Sequence, residues 1–105
     1  MRIRWLQEAR LEAAKSAHYY QAKDPELGPI FTAEIRERLA FVKQFPETGF
    51  RLPRSKDVHV RRVLVDRFKY AIVFALFQSE IVVVAVHHQH RRPGYWKPRL
   101  ASVRR

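Results

Sequence analysis

The chain has 105 residues, enough for one domain with a single modest core, and its lack of cysteine excludes disulfides and thiolate metal sites. No apolar run approaches the roughly 20 residues of a membrane helix, and the charged start MRIRWLQEAR has no hydrophobic signal core, so a cytoplasmic location with no membrane partner is expected. The formal charge of +11 is lopsided: residues 1–50 are net +1 and residues 51–105 net +10, a concentration that suits an anionic partner such as nucleic acid, the ribosome or an acidic protein.

Arg2 to Trp5 alternates polar and apolar residues, which predicts a short strand. Gln7 to Lys23 reads as a helix, with Leu6, Ala9, Ala13, Ala17 and Tyr20 in one apolar stripe. Its alanines favour helix and let a neighbour approach closely. Glu8 and Glu12 near its start and Lys23 near its end agree with the helix dipole. Asp24 and Pro25 stop this helix and open the next, with Gly28 and Pro29 able to delay the start by a turn. Ile30, Phe31, Ile35, Leu39, Val42 and Phe45 form a second stripe that Pro46 closes. A helical hairpin over about 6–45 is therefore expected. The stretch 46–57, PETGFRLPRSKD, reads as a surface loop.

Three apolar segments follow: Val58–Val65, Phe68–Phe77 and Ile81–Val86. Their β-branched and aromatic content predicts strands of a sheet over about 58–87. Asp66–Arg67 and Gln78–Ser79 are spaced like tight hairpins, so the strands should be antiparallel neighbours. The unbroken apolarity of Ile81–Val86 suggests a central strand covered on both faces. Residues 88–105 form a basic, aromatic tail, with Leu100 to Arg105 expected to fray. The expected fold class is α+β, in the order β-α-α-β-β-β.

Three constellations carry candidate chemistry. His87, His88 and His90 lie beside Arg91 and Arg92. Two histidines three apart at a strand end do not converge on a metal as they do on a helix, and no cysteine or nearby carboxylate completes a set, so no metal site is expected. Acid–base chemistry on RNA is open to His88 with Arg61, Arg62, Arg92 and Tyr95. A structural role, with the histidines bonding backbone groups, is an equal alternative. Tyr95 and Trp96, interleaved with Arg92 and Arg99, suit base stacking or an interface, and equally a cap on the sheet. Arg61 and Arg62 must point to opposite faces of their strand. Tyr19 and Tyr20 read as packing. Three glycines leave no room for a glycine-rich phosphate loop.

The chain resembles the RelE/ParE superfamily, toxins of bacterial type II toxin–antitoxin pairs, also known as plasmid stabilisation proteins. The resemblance spans most of the chain. It rests on the alanine-rich first helix ending in Tyr19–Tyr20; on Pro25, Leu27–Gly28 and Phe31; and on Phe45–Pro46. It continues with Val60–Arg61–Arg62, Phe68-x-Tyr70 with Ile72, Val73 and Phe74, then Ala85–Val86, His88, Arg92–Pro93, Tyr95–Trp96 and Arg99. Lys69 stands where the family commonly has proline. The resemblance implies a helical hairpin on a small, twisted, mostly antiparallel sheet, no cofactor, and an antitoxin partner whose disordered, usually acidic segment folds on binding. Two activities live on this fold. The ParE branch, favoured by the run Arg91–Arg92–Pro93–Gly94–Tyr95–Trp96–Lys97–Pro98–Arg99, poisons DNA gyrase by binding. This implies target contacts from Arg61, Arg62, Arg91, Arg92, Tyr95, Trp96 and Arg99. The RelE branch cleaves mRNA on the ribosome, and Arg61, His88, Arg92 and Tyr95 align only loosely with its catalytic roles; a non-toxic nucleic-acid-binding relative is the third reading.

Overall fold

In a computed structural model, residues 1–52 and 58–104 are described. The elements are β1 (Arg2–Trp5), α1 (Gln7–Lys23), α2 (Leu27–Gln44), β2 (Phe50–Arg51), β3 (His59–Val65), β4 (Tyr70–Phe77) and β5 (Glu80–His88). Short 3-10 turns cover Asp66–Phe68 and Lys97–Ser102. The sheet order is β1-β5-β4-β3-β2, with β1 parallel to β5 and every other pairing antiparallel. No helix among the described residues is long and apolar enough to cross a membrane.

The expected helical hairpin forms, and its close approach has a local cause. Gly28 opens α2 against α1, where an added Cβ would lie 2.8 Å from the Cβ of Gln21 and 3.1 Å from the carbonyl oxygen of Ala17. Ala9, Phe31, Ile35, Leu39 and Val42 are buried against one face of the sheet, with Val63, Val65, Ile72, Phe74, Ile81, Val83 and Val86. Two stripe residues behave otherwise than expected. Leu6 precedes α1, donates its backbone N–H to the Val83 carbonyl, and buries its side chain on the opposite sheet face. Phe45 follows α2, is half exposed, and packs on Phe41.

The hairpin turns differ from each other. Gln78 and Ser79 both adopt positive φ (48° and 64°), the signature of a type I′ turn built without glycine. The first link is longer than the two residues expected. Phe68 belongs to the turn, buried among the rings of Tyr20 (4.8 Å) and Phe31 (5.2 Å), and β4 begins only at Tyr70. Lys69 closes that turn at φ 56°. Proline, locked near −65°, cannot take this conformation, so the departure at Lys69 matches a different local turn.

The expected loop over 46–57 holds an extra strand. Phe50 and Arg51 pair with Arg62 and Arg61, after Gly49 turns the chain at φ 84°. Residues 53–57 of that expected loop lie outside the described residues. The tail also departs from expectation. Leu100 to Arg104 does not fray: Val103 is fully buried, and its carbonyl accepts a 2.7 Å hydrogen bond from Arg4. The expectation for Arg105 lies outside the described residues.

A β-bulge decides which side chains of β5 face where. Val73 pairs with Ala85 but Phe74 pairs with Val83, leaving Val84 as the extra residue. Val84 and Ala85 therefore both face away from the helices, with Val82, Trp96 and Val103. Beyond the bulge the alternation is inverted. Val86 turns to the helical face, and His88 follows it to lie 5.6 Å from the Tyr70 ring. His87 turns to the tail face, 5.5 Å from the Tyr95 ring.

Candidate functional site

The edge of β5 organises the site. β1 pairs with Glu80–Val83 and then leaves the sheet to become α1. The next polar groups on that edge are the Val84 carbonyl and the Val86 N–H, and side chains take over where the strand stops. Arg99 donates to the Val84 carbonyl at 3.0 Å, and the Val86 N–H donates to Glu12 Oε1 at 3.1 Å. Arg99 and Glu12 then bond each other in bidentate fashion, at 2.8 and 3.0 Å. The ion pair thus extends the sheet ladder by side chains, satisfying groups whose burial unpaired would be costly.

Two more residues of the tail converge on the same carboxylate. The Tyr95 hydroxyl donates to Glu12 Oε2 at 2.6 Å, and an Arg91 nitrogen lies 3.7 Å from it. The Arg91 guanidinium stacks over the Tyr95 ring at 3.8 Å, with that of Arg99 at 5.1 Å. Burial acts to raise the Glu12 pKa, but hydrogen bonds from Arg99, Tyr95 and the Val86 N–H, with the Arg99 charge, outweigh it and hold the carboxyl below its usual range. Burial and the Glu12 hydrogen bond push the Tyr95 hydroxyl far above the usual phenol range, so it keeps its proton. His87 donates from Nδ1 to the His88 carbonyl at 2.7 Å; burial lowers its pKa, leaving a neutral ring at pH 7.

The remaining candidates divide by face. Arg61 shares the helical face with Val63 and Val65 and donates to the Gly49 carbonyl at 3.4 Å. Arg62 shares the tail face with Val58 and Val60; its guanidinium lies 5.8 Å from the Phe50 ring. Its Nε is buried with no hydrogen-bond partner among the described residues. Arg92 is exposed, and among the described residues it makes no ion pair or hydrogen bond. Trp96 is 5% exposed and is part of the tail-face core. Within the set Arg61, His88, Arg92 and Tyr95, no hydrogen bond or ring contact joins any two members among the described residues. No group of three or more His, Asp or Glu side chains among the described residues is placed to hold a metal ion.

Two contributors escaped the sequence reading. Glu12 was legible only as a first-turn charge, although it follows the buried Ala9 by three residues and so borders the apolar stripe. Phe50 is 56% exposed beside Arg62, and the short loop around it gave no strand signal.

The family of ParE toxins of type II toxin–antitoxin systems, parDE, matches the chain over residues 3–93. No curated protein matches the chain. A solved structure described as the chromosomal ParDE TA system from P. aeruginosa superimposes with a TM-score of 0.70 at 18% identity. The likeness covers 84% of this chain and 95% of that one, and at this identity it speaks for the fold alone. With a family match that runs through both helices, all five strands and the turn at Arg92–Pro93, the chain belongs to the ParE toxin family.

Proposed function

We propose that this toxin arrests growth by binding and poisoning DNA gyrase, without cutting nucleic acid itself. The observation that carries the reading, beside the family, is the hydrogen bond from Tyr95 to Glu12. A ribosome-dependent nuclease needs its tyrosine and arginines free to move protons and meet phosphate. Here Tyr95 and Arg99 are spent on Glu12, while the exposed Arg92 and the Arg91 nitrogens that do not face Glu12 retain donors for a target, and Arg62, whose Nε is buried, contributes its charge. Trp96 and Arg99 act by holding the tail on the sheet, and Arg61 adds charge at the β2 edge.

The partner is a cognate antitoxin, and the helical hairpin offers its seat. A groove of about 580 Å³ opens between α1, α2 and β1, floored by Ile3, Trp5, Ala13 and Ile35 and edged by Arg10, Arg36 and Lys43. An acidic segment that folds into an amphipathic helix would match both its floor and its rim. Its site of action is the cytoplasm, where gyrase and a disordered antitoxin meet.

The test is supercoiling of relaxed plasmid by gyrase with increasing toxin. Inhibition with trapped, linearised DNA, relieved by antitoxin, is the expected result. Unchanged supercoiling together with mRNA cleavage on programmed ribosomes would replace this reading with the endoribonuclease. Ala40→Glu, in the groove, should keep gyrase inhibition and lose its relief by antitoxin.

A further inference from the structure

A second cleft, away from the hairpin groove, lies between the C-terminal half of α1 and the adjoining ends of β4 and β5. It encloses about 520 Å³, within the range of small-ligand sites. Its walls include Lys15, Ser16, Tyr19, Tyr20, His88 and Arg91, with Glu12 at one end. The polar groups are almost all donors. Among the described residues Lys15 has no ion-pair partner. Tyr70 donates its hydroxyl hydrogen to Ser16 Oγ at 3.0 Å, which leaves the hydrogen of Ser16 free to be donated. His88 Nδ1 accepts the His90 N–H at 3.2 Å, which leaves Nε2 as the ring's N–H donor. Arg91 offers the nitrogens that do not face Glu12.

The only carboxylate among the described residues of the cleft is already satisfied. Glu12 Oε1 accepts from Val86 and Arg99, and Oε2 from Tyr95 and Arg99. The complement of such a cleft is rich in acceptors and negatively charged. The walls add a second requirement. Tyr19, Tyr20 and Tyr70 line it together, and Tyr19 is 56% exposed. Tyr19 meets Tyr20 edge-on at 5.3 Å and carries Lys23 over its ring at 4.9 Å, so an aromatic surface lies beside the cationic one. A planar aromatic group bearing phosphate meets both requirements, because every base has a face to stack and every phosphate has oxygens to accept.

We infer that this cleft binds a nucleoside phosphate, with the base against Tyr19 and Tyr20 and the phosphate held by Lys15, His88 and Arg91. This site shares Arg91 with the target surface proposed above, but its test reads nucleotide binding and not gyrase inhibition, so the two readings fail separately. The ligand is either a free mononucleotide or one nucleotide of a single strand, and the chemistry at the cleft is the same.

The test uses the isotope-labelled full chain, titrated with adenosine monophosphate at about 150 mM salt to screen diffuse attraction. Saturable amide shifts at Lys15, Tyr19, Tyr20 and His88 are expected. Affinity should fall about tenfold or more in Tyr19→Ala and in Lys15→Gln, in line with the loss of one stacking or charge-assisted contact. Both side chains are exposed, so both variants should keep the dispersed spectrum of the folded chain. Arg36→Gln, outside the cleft, should bind as the parent does. Tighter binding of a 5′-phosphorylated trinucleotide than of the mononucleotide would support the site and assign it to a strand; equal binding would support it and assign it to the free nucleotide. Three results would overturn the inference: shifts that do not saturate, shifts spread over the whole basic surface, or inorganic phosphate binding as tightly as the nucleotide.

Discussion

The two faces of the sheet are covered in different ways. One lies under two regular helices, whose stripe from Phe31 to Val42 packs on Val63, Ile72 and Val83. The other lies under an irregular tail, where Trp96, Leu100 and Val103 pack on Val58, Val73 and Val84. Helices satisfy their own backbone, so their side chains need only be apolar at the right period. The tail cannot do this. It is tied down by side chains that reach other elements: Arg99 to Val84 and Glu12, Tyr95 to Glu12, and Arg4 to the Val103 carbonyl. The same residue types that look like a binding surface in sequence are therefore partly used as fastenings.

The largest test of this comparison is a matched truncation on each face. Phe31→Ala and Trp96→Ala should each cost about 4 kcal/mol in urea unfolding, because both leave large cavities in buried clusters. A loss at Trp96 within the scatter of surface substitutions would mean that the tail is not part of the core.

Next in size is the fastening itself. Glu12→Gln should cost roughly 3 kcal/mol, since it leaves the partly buried Arg99 without its counter-charge. The effect depends on pH. The Glu12 pKa is depressed in the folded state, so its contribution is full above the ordinary value of 4.5 and is lost as pH falls through the folded pKa. His87 is also depressed, from 6.5; below that value the unfolded chain takes up a proton that the folded chain refuses, so stability declines on acidification there too. The parent should thus lose stability in two stages on acidification. His87→Gln should remove the stage that begins near 6.5, and Glu12→Gln the one below 4.5. A stability that stays flat from neutral pH to below 4.5 would contradict both assignments.

Smaller effects probe the turns. At Gly49 the φ of 84° and a Cβ 2.5 Å from the Arg62 carbonyl oxygen make Gly49→Ala strained, at about 2 kcal/mol. Its spectra should show β2 displaced from β3. Ser79→Gly should stabilise by about 1 kcal/mol, because glycine takes the left-handed conformation freely. An unchanged midpoint in thermal melts would show that the turn holds no strain.

Much of the fold could be read from the chain, for reasons specific to each element. The α1 boundaries at Gln7 and Lys23 and the strand character of Ile81–Val86 follow from local composition and period. The strand at Phe50–Arg51 could not be read, because two residues carry no period and the pairing partner is a dozen residues away. The bulge at Val84 was hidden inside a run of six apolar residues, Ile81–Val86, yet it sets which face His87 and His88 occupy. Glu12 was hidden because its partners lie more than 70 residues on. The residue types of the site were visible, but which of them are fastenings depends on contacts that no local pattern encodes.

The measurement that tests the account most directly is gyrase inhibition by charge-reversed variants on opposite faces. Arg62→Glu with Arg92→Glu reverses one charge of the sheet and one of the tail, while Arg36→Glu with Lys43→Glu reverses the rim of the hairpin groove. With both proteins folded, the first is predicted to lose inhibition of supercoiling by tenfold or more, on the order of a fully used pair of charge-assisted contacts. The second should inhibit as the parent does and lose its relief by antitoxin. Full inhibition by the Arg62 and Arg92 variant would contradict the claim that the tail-side charges carry the toxin to its target.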